Sequence, residues 1–591
     1  MKITGKELKK IWLDFYKSKG HVDIGAVSLI ADGSTGVMFN VAGMQSLMPY
    51  LLGQKHKDGK RLCNIQGCIR TIDIDSVGDE SHCTFFEMMG NWSLGDYFKK
   101  EKTAWTFELL TQKFGLDKNK IHSTVFEGDK SAPRDEETAK LLVDLGIKKE
   151  NIHFLPKKDN WWELDGTVGT PCGPDNEWFY PLENGKLVEI GNDVYMQYMK
   201  QKDGYLPLAN KNVDTGFGFE RCLMFLNGVT DVYKTDIFTG VIKLLEKETQ
   251  TKYGEDEEVT KAMRIICDHT RTMVMLIGDE KGIVPSNVGA GYILRRIMRR
   301  AIRYVKKLNL STSVLSDIAK VFIDEYCDYY KNLKVKQEYI LEEIKKECEK
   351  FEKTLYDGDK EFNKVLFGIE KHKEFASKNG EVVENIISGK AAFRLYDTFG
   401  FPIELTEELA RERGYSVDLE GYKKCFEEHQ EKSKANVGTF KGGLQDDSIM
   451  SAKLHTATHI TLAGLRKMFG NDVNQKGSNI TPERLRFDFN LDHKMTEEEL
   501  KTLENFVNDV IKRAIPVTCE EMTVEEAKKQ GAIGVFDAKY GDVVKVYTIG
   551  DVDKEICGGP HASNTSELHH YKIIKEESSS SGIRRIKAIL D

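Results

Sequence analysis

Along the first 18 residues, apolar side chains recur at helical spacing. Leu8, Ile11, Trp12, Phe15 and Tyr16 form one stripe, with lysines and acids between them. Thr4-Gly5-Lys6-Glu7 just ahead reads as a capping box, so an amphipathic helix of the fold is predicted here. Glu7 and Asp14 set it apart from a transit peptide. From there to about residue 240, short β-rich runs alternate with helical stretches dense in Gly, Trp and Phe, which predicts an α+β domain on a largely antiparallel sheet. The next 200 residues read as helical and charged. In Gly289–Lys307 the apolar Ile293, Ile297, Ala301 and Val305 recur every four positions and mark one helix face. Arg295, Arg299 and Arg303 share another face, flanked by Arg296, Arg300 and Lys307. Ile340, Ile344, Phe351 and Leu355 sit on a further Glu- and Lys-rich amphipathic run, a bundle or coiled-coil helix. Residues 434–447, with glycines at 438, 442 and 443, read as a linker. Three domains follow: residues 1–240, 241–440 and 441–591, the whole a multidomain α+β protein.

Like charges three and four residues apart destabilise an isolated helix, so the arginine face predicts a large anionic partner; acidic neighbours within the fold are the alternative. Composition sharpens this. The 591 residues are 40% hydrophobic and 30% charged, with a net charge of −8. That is an ordinary globular chain, in which any nucleic-acid surface must be a local patch. A structured RNA fits better than a non-specific coat on DNA, so no DNA partner is expected. Eleven scattered cysteines make no disulfide framework and suit a reducing cytosol, hence a cytoplasmic protein. No apolar run approaches the roughly 18 residues that span a bilayer.

Four stretches carry candidate chemistry. Cys63 to Asp96 reads as strand, polar loop, strand, bringing Arg70 and Phe86-Glu87 onto adjacent strands. Guanidinium, ring and carboxylate together suit a nucleotide, although a buried ion pair looks the same. Cys63 and Cys68, with no second pair nearby, do not make a metal site. Trp161-Trp162 followed by Gly169-Thr170-Pro171-Cys172-Gly173-Pro174 makes a rigid turn beside an aromatic wall, for packing or for a small pocket. In Asp214-Thr215-Gly216-Phe217-Gly218-Phe219-Glu220-Arg221, the glycines let backbone approach a ligand, Asp214 can hold an ammonium and Arg221 can reach a phosphate. Finally, His455 and His459 project from one helix face, and Cys557 and His561 bracket a Gly-Gly-Pro turn a hundred residues later. Together they form a donor set suited to tetrahedral Zn²⁺.

The words Phe-Phe-Glu-Met-Met-Gly-Asn, Pro-Cys-Gly-Pro, Val-Asp-Thr-Gly-Phe-Gly-Phe-Glu-Arg and Gly-Tyr-Ile-Leu-Arg-Arg, with Phe393 to Pro402, come in an order that resembles the class II aminoacyl-tRNA synthetases. In detail they resemble the alanyl-tRNA synthetase family, over nearly the whole chain. The resemblance implies an antiparallel-sheet catalytic domain, a helical tRNA-recognition domain and a zinc-containing editing domain. It implies an enzyme that adenylates L-alanine with ATP and Mg²⁺, transfers it to the tRNA 3′ end, and hydrolyses mischarged seryl- or glycyl-tRNA. A methyl-sized pocket excludes glycine and serine poorly, which is why such editing is needed. The alternative is a zinc deacylase whose synthetase-like domain is inactive.

By the same resemblance, Arg70 attends the ATP α-phosphate, Phe86, Glu87 and Met88 contact adenine, and Arg221 steadies base and phosphates, with Arg70, Glu87 and Arg221 as the catalytic set. Asp214 binds the alanine ammonium, Trp162, Val194 and Gly216 wall the methyl group, and Asn192 contacts the amino acid; Gly191 stands where relatives often carry Trp. Asn287 and Asp397 read an acceptor-stem G·U pair, beside Arg295, Arg299 and Arg303; alone, either would read as a turn former or a cap. His455, His459, Cys557 and His561 hold zinc, and Gln475 and Arg486 line the editing pocket, with Pro560 where relatives carry Thr. Relatives also place a small β-barrel before the editing domain and a further domain after it. Here a short linker and an end at Asp591 imply a short form, expected to be a monomer that leans on the acceptor stem.

Overall fold

A computed structural model describes residues 2–31, 37–164, 167–182, 185–379, 382–435, 448–533, 543–580 and 583–591. It divides into two compact units, Met1–Leu419 and Glu420–Asp591.

The first unit opens with the expected helix, Gly5–Ser18. The Thr4 hydroxyl accepts from the Glu7 N–H (3.3 Å) while the Glu7 carboxylate accepts from the Thr4 N–H (2.8 Å), so two otherwise orphan donors are satisfied. Leu8, Trp12, Phe15 and Tyr16 are buried. The sheet comprises β1 (Val22–Asp23), β2 (Arg61–Ile69), β3 (Phe85–Leu94), β4 (His122–Phe126), β5 (Ile152–Leu155), β6 (Trp161–Trp162), β7 (Pro171–Pro181), β8 (Leu187–Gln201) and β9 (Gly204–Gly218). Their spatial order is β1-β2-β3-β9-β8-β7-β4-β5, with β6 paired to β7. Only β1–β2 and β4–β5 are parallel, so the largely antiparallel expectation holds.

Strand alternation separates two faces. Phe85 and Met89 of β3, Ile65 of β2 and Phe217 of β9 join the main core with the first helix. Trp92 of β3, Leu62 of β2, and Val194 and Met196 of β8 belong to a separate cluster on the other face. A one-residue slip of any of these strands would exchange the two sets.

Helices Glu257–Gly278, Gly289–Lys307, Val314–Tyr326 and the 42-residue Gln337–Lys378 follow. Ile340, Ile344, Phe351 and Leu355 are buried as their spacing implied, and the core runs without a break from Ile3 to Ala410. Residue 240, the boundary expected from the sequence, falls inside helix Asp236–Thr249, and the elements on either side share one core.

On the arginine face, three of the side chains follow the alternative of acidic neighbours within the fold. Arg299, Arg300 and Arg303 are only 5%, 6% and 8% exposed. Arg299 meets Glu347 (2.7 Å) and the Gly400 carbonyl, Arg300 meets Glu408 (3.0 Å), and Arg303 meets Glu412. The acids come from helices Gln337–Lys378 and Ile403–Glu412, so the like charges are neutralised inside the fold. Burial works against ionisation of Glu408, yet Arg300 and Arg303 hold its carboxyl down to about 2. That folded value lies below the ordinary 4.5, so its contribution to stability is complete above pH 4.5 and is lost as pH falls towards 2. Glu408→Gln, which removes the carboxylate from the buried Arg300 while Arg303 keeps Glu412, is expected to cost about 3 kcal/mol at neutral pH. Melting curves at pH 7 and pH 3 check this, since the gap between variant and parent must narrow in acid.

The second unit packs helices Ile449–Phe469 and Glu497–Lys512 with a four-stranded sheet in the order Gln475–Thr481, Arg484–Asn490, Ile583–Leu590, Tyr571–Ser580. Leu454, Ile460, Phe487, Phe489, Val507 and Ile586 form its core. A three-stranded sheet of Val517–Thr523, Val543–Ile549 and Asp553–Ile556 completes it. The linker glycines 438, 442 and 443 lie outside the described residues.

Candidate functional site

Three strands in register build the first site. Gly90 of β3 pairs with Gly216 of β9, which pairs with Asn192 of β8; one step along, Trp92 pairs with Asp214, which pairs with Val194. Period-two alternation puts these six on one sheet face, and Trp162 packs against the same cluster as Val194 and Trp92. A Cβ on Gly216 would lie 3.1 Å from Met88 Sδ and 3.4 Å from Asn192 Oδ1. That glycine therefore keeps a small space open between an apolar and a polar wall. Asp214 is 7% exposed, and its Oδ1 accepts from Trp92 Nε1 at 2.7 Å. Burial raises its carboxyl to about 7, against the pull of this bond and of Lys102. The result is a buried carboxylate poised to accept a cation.

Arg70 lies just beyond β2, exposed, with its guanidinium 4.8 Å from the centre of the Phe86 ring. Arg221, in the first turn of helix Phe219–Leu226, meets the Glu189 carboxylate at 2.8 Å. Glu87 differs from its assignment. It alternates to the opposite face from Phe86 and Met88, is fully buried, and pairs with Lys9 (2.7 Å) and the Tyr330 hydroxyl (2.9 Å). Its side chain ties the first helix to the core and does not reach the adenine side, so it leaves the catalytic set. Gly191 also faces away from Asn192. The Phe217 ring covers it and would overlap any Cβ there, so its departure from relatives leaves the pocket walls untouched.

Sequence reasoning missed several residues. Asp193, behind Val194, accepts from Trp178 Nε1 (2.9 Å), Thr215 Oγ1 (3.0 Å) and the buried Lys102 (3.2 Å). The signal was present: alternation from Asn192 sends Asp193 to the other face. Glu177 pairs across the sheet with Asn192. Burial and then Glu189 push its carboxyl up to about 7, and burial and then Glu177 push Asp175 well above its ordinary value. This run of carboxylates beside Arg221 repels itself, an arrangement that a divalent cation relieves.

A second place collects the residues expected to read RNA. Asn287, Arg295, Arg299 and Asp397 line one cavity of about 270 Å³, with Lys350 and Tyr396. Arg295 donates to Asn287 Oδ1 and to the Pro285 carbonyl (3.1 Å). Arg303 is not there; it lines a separate cavity with Lys306, Lys307 and Arg413.

The second unit brings its four predicted metal ligands together, every donor atom within 4.8 Å of the others. Their remaining ring nitrogens are held from behind. His455 Nδ1 donates to the Pro560 carbonyl (3.0 Å), and His561 Nδ1 meets Thr456 Oγ1 (3.3 Å). His459 Nδ1 meets Asp553 (3.0 Å) and Glu555 (2.7 Å), two acids that sequence reasoning passed over. That leaves His561 Nε2 buried without a hydrogen-bond partner among the described residues, an orphan that a metal would satisfy. Burial alone would raise the Cys557 thiol; the three histidines hold it well below its ordinary value, as a thiolate ligand requires. A soft thiolate, three imidazoles and acids fixing one imidazole fit zinc. Gln475 and Arg486 lie on the two strands whose apolar residues share a core with the helix of His455 and His459. Gln475 donates to Ser478 (3.0 Å), and Arg486 Nε is buried without a partner among the described residues.

Residues 7–477 match the family described as tRNA synthetases class II (A), and residues 544–587 match the threonyl and alanyl tRNA synthetase second additional domain. The chain is 50% identical to the alanine–tRNA ligase of Treponema denticola, the alignment spanning 100% of this chain and 99% of that protein. It is 46% identical to that of Borrelia hermsii over 99% of each, and 33% identical to that of Carboxydothermus hydrogenoformans over 99% of this chain and 80% of the relative. With the pocket face, the second-unit fold and end-to-end similarity to ligases in agreement, the chain belongs to the alanine–tRNA ligases, within the class II aminoacyl-tRNA synthetases.

Proposed function

We propose that the sheet-face site adenylates alanine and that the second unit hydrolyses mischarged tRNA. In the first step a carboxylate oxygen of alanine attacks the α-phosphorus of ATP and pyrophosphate departs. Arg70 stabilises the charge that builds on the α-phosphate, while its partner ring Phe86, with Met88, bounds the adenine. Arg221 steadies the phosphates, and Glu177 and Glu189 would hold a magnesium ion, which would neutralise charge on the triphosphate. Asp214 holds the ammonium and Asn192 contacts the amino acid. Trp162, Val194 and the open position at Gly216 leave room for one methyl group. In the second step the terminal ribose hydroxyl of the tRNA attacks the adenylate carbonyl and AMP leaves. Asn287 and Asp397, with Arg295 and Arg299, form the acceptor-stem contact. Arg303, spent on Glu412, holds the helix in place.

In the editing reaction, His455, His459, Cys557 and His561 would hold zinc, which would supply Lewis acidity at the ester or orient the misacylated end. Thr456, Asp553, Glu555 and the Pro560 carbonyl fix the imidazoles, and Gln475 and Arg486 bound the aminoacyl end. Domain roles follow: residues 1–240 for adenylation, 241–440 for tRNA recognition and 441–591 for editing, in the cytoplasm.

The observation that carries the reading is the pair of adjacent registers, Gly90–Gly216–Asn192 and Trp92–Asp214–Val194, which sets an acid, an amide and a methyl-sized gap side by side. Alanine-dependent ATP–pyrophosphate exchange without tRNA tests it. Alanine is expected to drive exchange best, with glycine and serine about 10²-fold weaker in kcat/KM, the discrimination that a single methyl or hydroxyl affords. Absence of exchange with all three would leave a zinc deacylase with an inactive synthetase-like unit.

A further inference from the structure

We propose that Trp92 is a positioning residue of the amino-acid pocket, its indole N–H fixing the Asp214 carboxylate for the substrate ammonium. The proposal rests on the assignment of Asp214 above. Trp92 and Asp214 are direct cross-strand partners, and the bond from Nε1 to Oδ1 is 2.7 Å. The indole is fully buried and cannot turn aside. A Cβ on Gly90 would overlap the ring, and one on Gly43 would lie 3.0 Å from Trp92 Cζ2. Both glycines therefore clear the space that this ring fills. Val194, a wall of the same pocket, packs in its cluster.

An indole N–H only donates, so its bond to a carboxylate is stronger than its bond to the neutral acid, and it favours ionisation. The other charges acting on Asp214 do not replace it. Lys102, on helix Lys99–Glu108, favours ionisation, but it is already committed to Asp193 at 3.2 Å. Asp193 itself, on β8, opposes ionisation, and the Thr215 backbone contributes last. Burial is the largest influence and leaves the carboxyl titrating at about 7. In the assay range, the N–H of Trp92 thus aims the carboxylate and raises its ionised fraction against the effect of burial.

The test uses the full chain in alanine-dependent pyrophosphate exchange from pH 6 to pH 9. Trp92→Phe removes the donor, and replacement of Trp92 by 3-benzothienylalanine removes it while keeping the ring shape. The second variant decides if the first melts early. At pH 7 the KM for alanine is expected to rise about 10-fold or more, the worth of a hydrogen bond to a charged group, with kcat changing far less. The KM ratio to the parent should shrink as pH rises and Asp214 ionises unaided. An unchanged KM at pH 7 in the benzothienyl variant, or a rise of equal size at every pH, would overturn the proposal. Asp214→Asn run in parallel separates the two levels. If it keeps the parent's alanine KM, the assignment of Asp214 fails; if it collapses while both Trp92 variants behave as the parent, only the role of Trp92 fails.

Discussion

Asp214→Asn is expected to lower kcat/KM for alanine in pyrophosphate exchange by about 10³-fold. Removing one member of a buried charge pair costs several kcal/mol, and about 4 kcal/mol corresponds to that factor. The asparagine is isosteric and still accepts from Trp92 Nε1, so the fold and the Gly216 gap survive while the negative charge goes. The parent has a signed pH dependence. The empty-site carboxyl titrates at about 7 because burial outweighs Trp92 and Lys102, so alanine binds better as pH rises from 6 to 8. The variant lacks that rise. For stability the sign is opposite. A carboxyl whose folded value lies above its ordinary 3.8 stabilises the fold most in acid and loses that contribution as pH climbs through 7. The asparagine variant should therefore be at least as heat-stable as the parent at pH 8. Steady-state exchange with melting at pH 6 and pH 8 checks both. An unaltered alanine KM would remove Asp214 from the site.

Cys557→Ser is expected to strip the metal from the second unit and reduce hydrolysis of seryl-tRNA on the order of 10³-fold, the several kcal/mol that a catalytic metal supplies. Alanine-dependent exchange should stay at the parent rate. The thiolate is the one anionic donor of the set; a serine hydroxyl stays neutral, and the three imidazoles then meet a cation with no charge to oppose it. Zinc content by atomic emission, deacylation of preformed seryl-tRNA and exchange from the same preparation check this. Retained zinc with lost deacylation would make the cysteine a contact to substrate. Loss of exchange as well would show that the two activities are coupled.

Much of the site was legible because its chemistry is local in sequence. The His455–His459 spacing and the Cys557–His561 turn mark their candidate donors without any fold, since a helix turn and a tight turn each fix a pair. Gly216 between Asp214 and Arg221 likewise announces a close backbone approach. The residues missed share one property: their meaning depends on a partner far along the chain. Trp92 gains its role only because β3 and β9 pair in the register that sets it opposite Asp214. Glu555 matters only because strand Asp553–Ile556 reaches His459. Glu177 and Glu189 become a cluster only through the β7–β8 pairing and its bulge.

Residue order alone was enough for the sequence of elements, the apolar faces of the helices and the four candidate metal donors. Periodicity and short-range spacing are properties of the backbone repeat, so they need no tertiary information. Tertiary structure alone decided where charge is spent. Arg299, Arg300 and Arg303 form the same pattern on a helix whether they face RNA or Glu347, Glu408 and Glu412, and only the packing of Gln337–Lys378 and Ile403–Glu412 against that helix chose the acids. Glu87 sits between Phe86 and Met88 in sequence, yet a pleated strand sends it to the opposite face, where Lys9 and Tyr330 claim it. Coulomb interactions depend on distance and burial, which a sequence does not list, and that is why the apolar pattern could be read ahead of the ionic one.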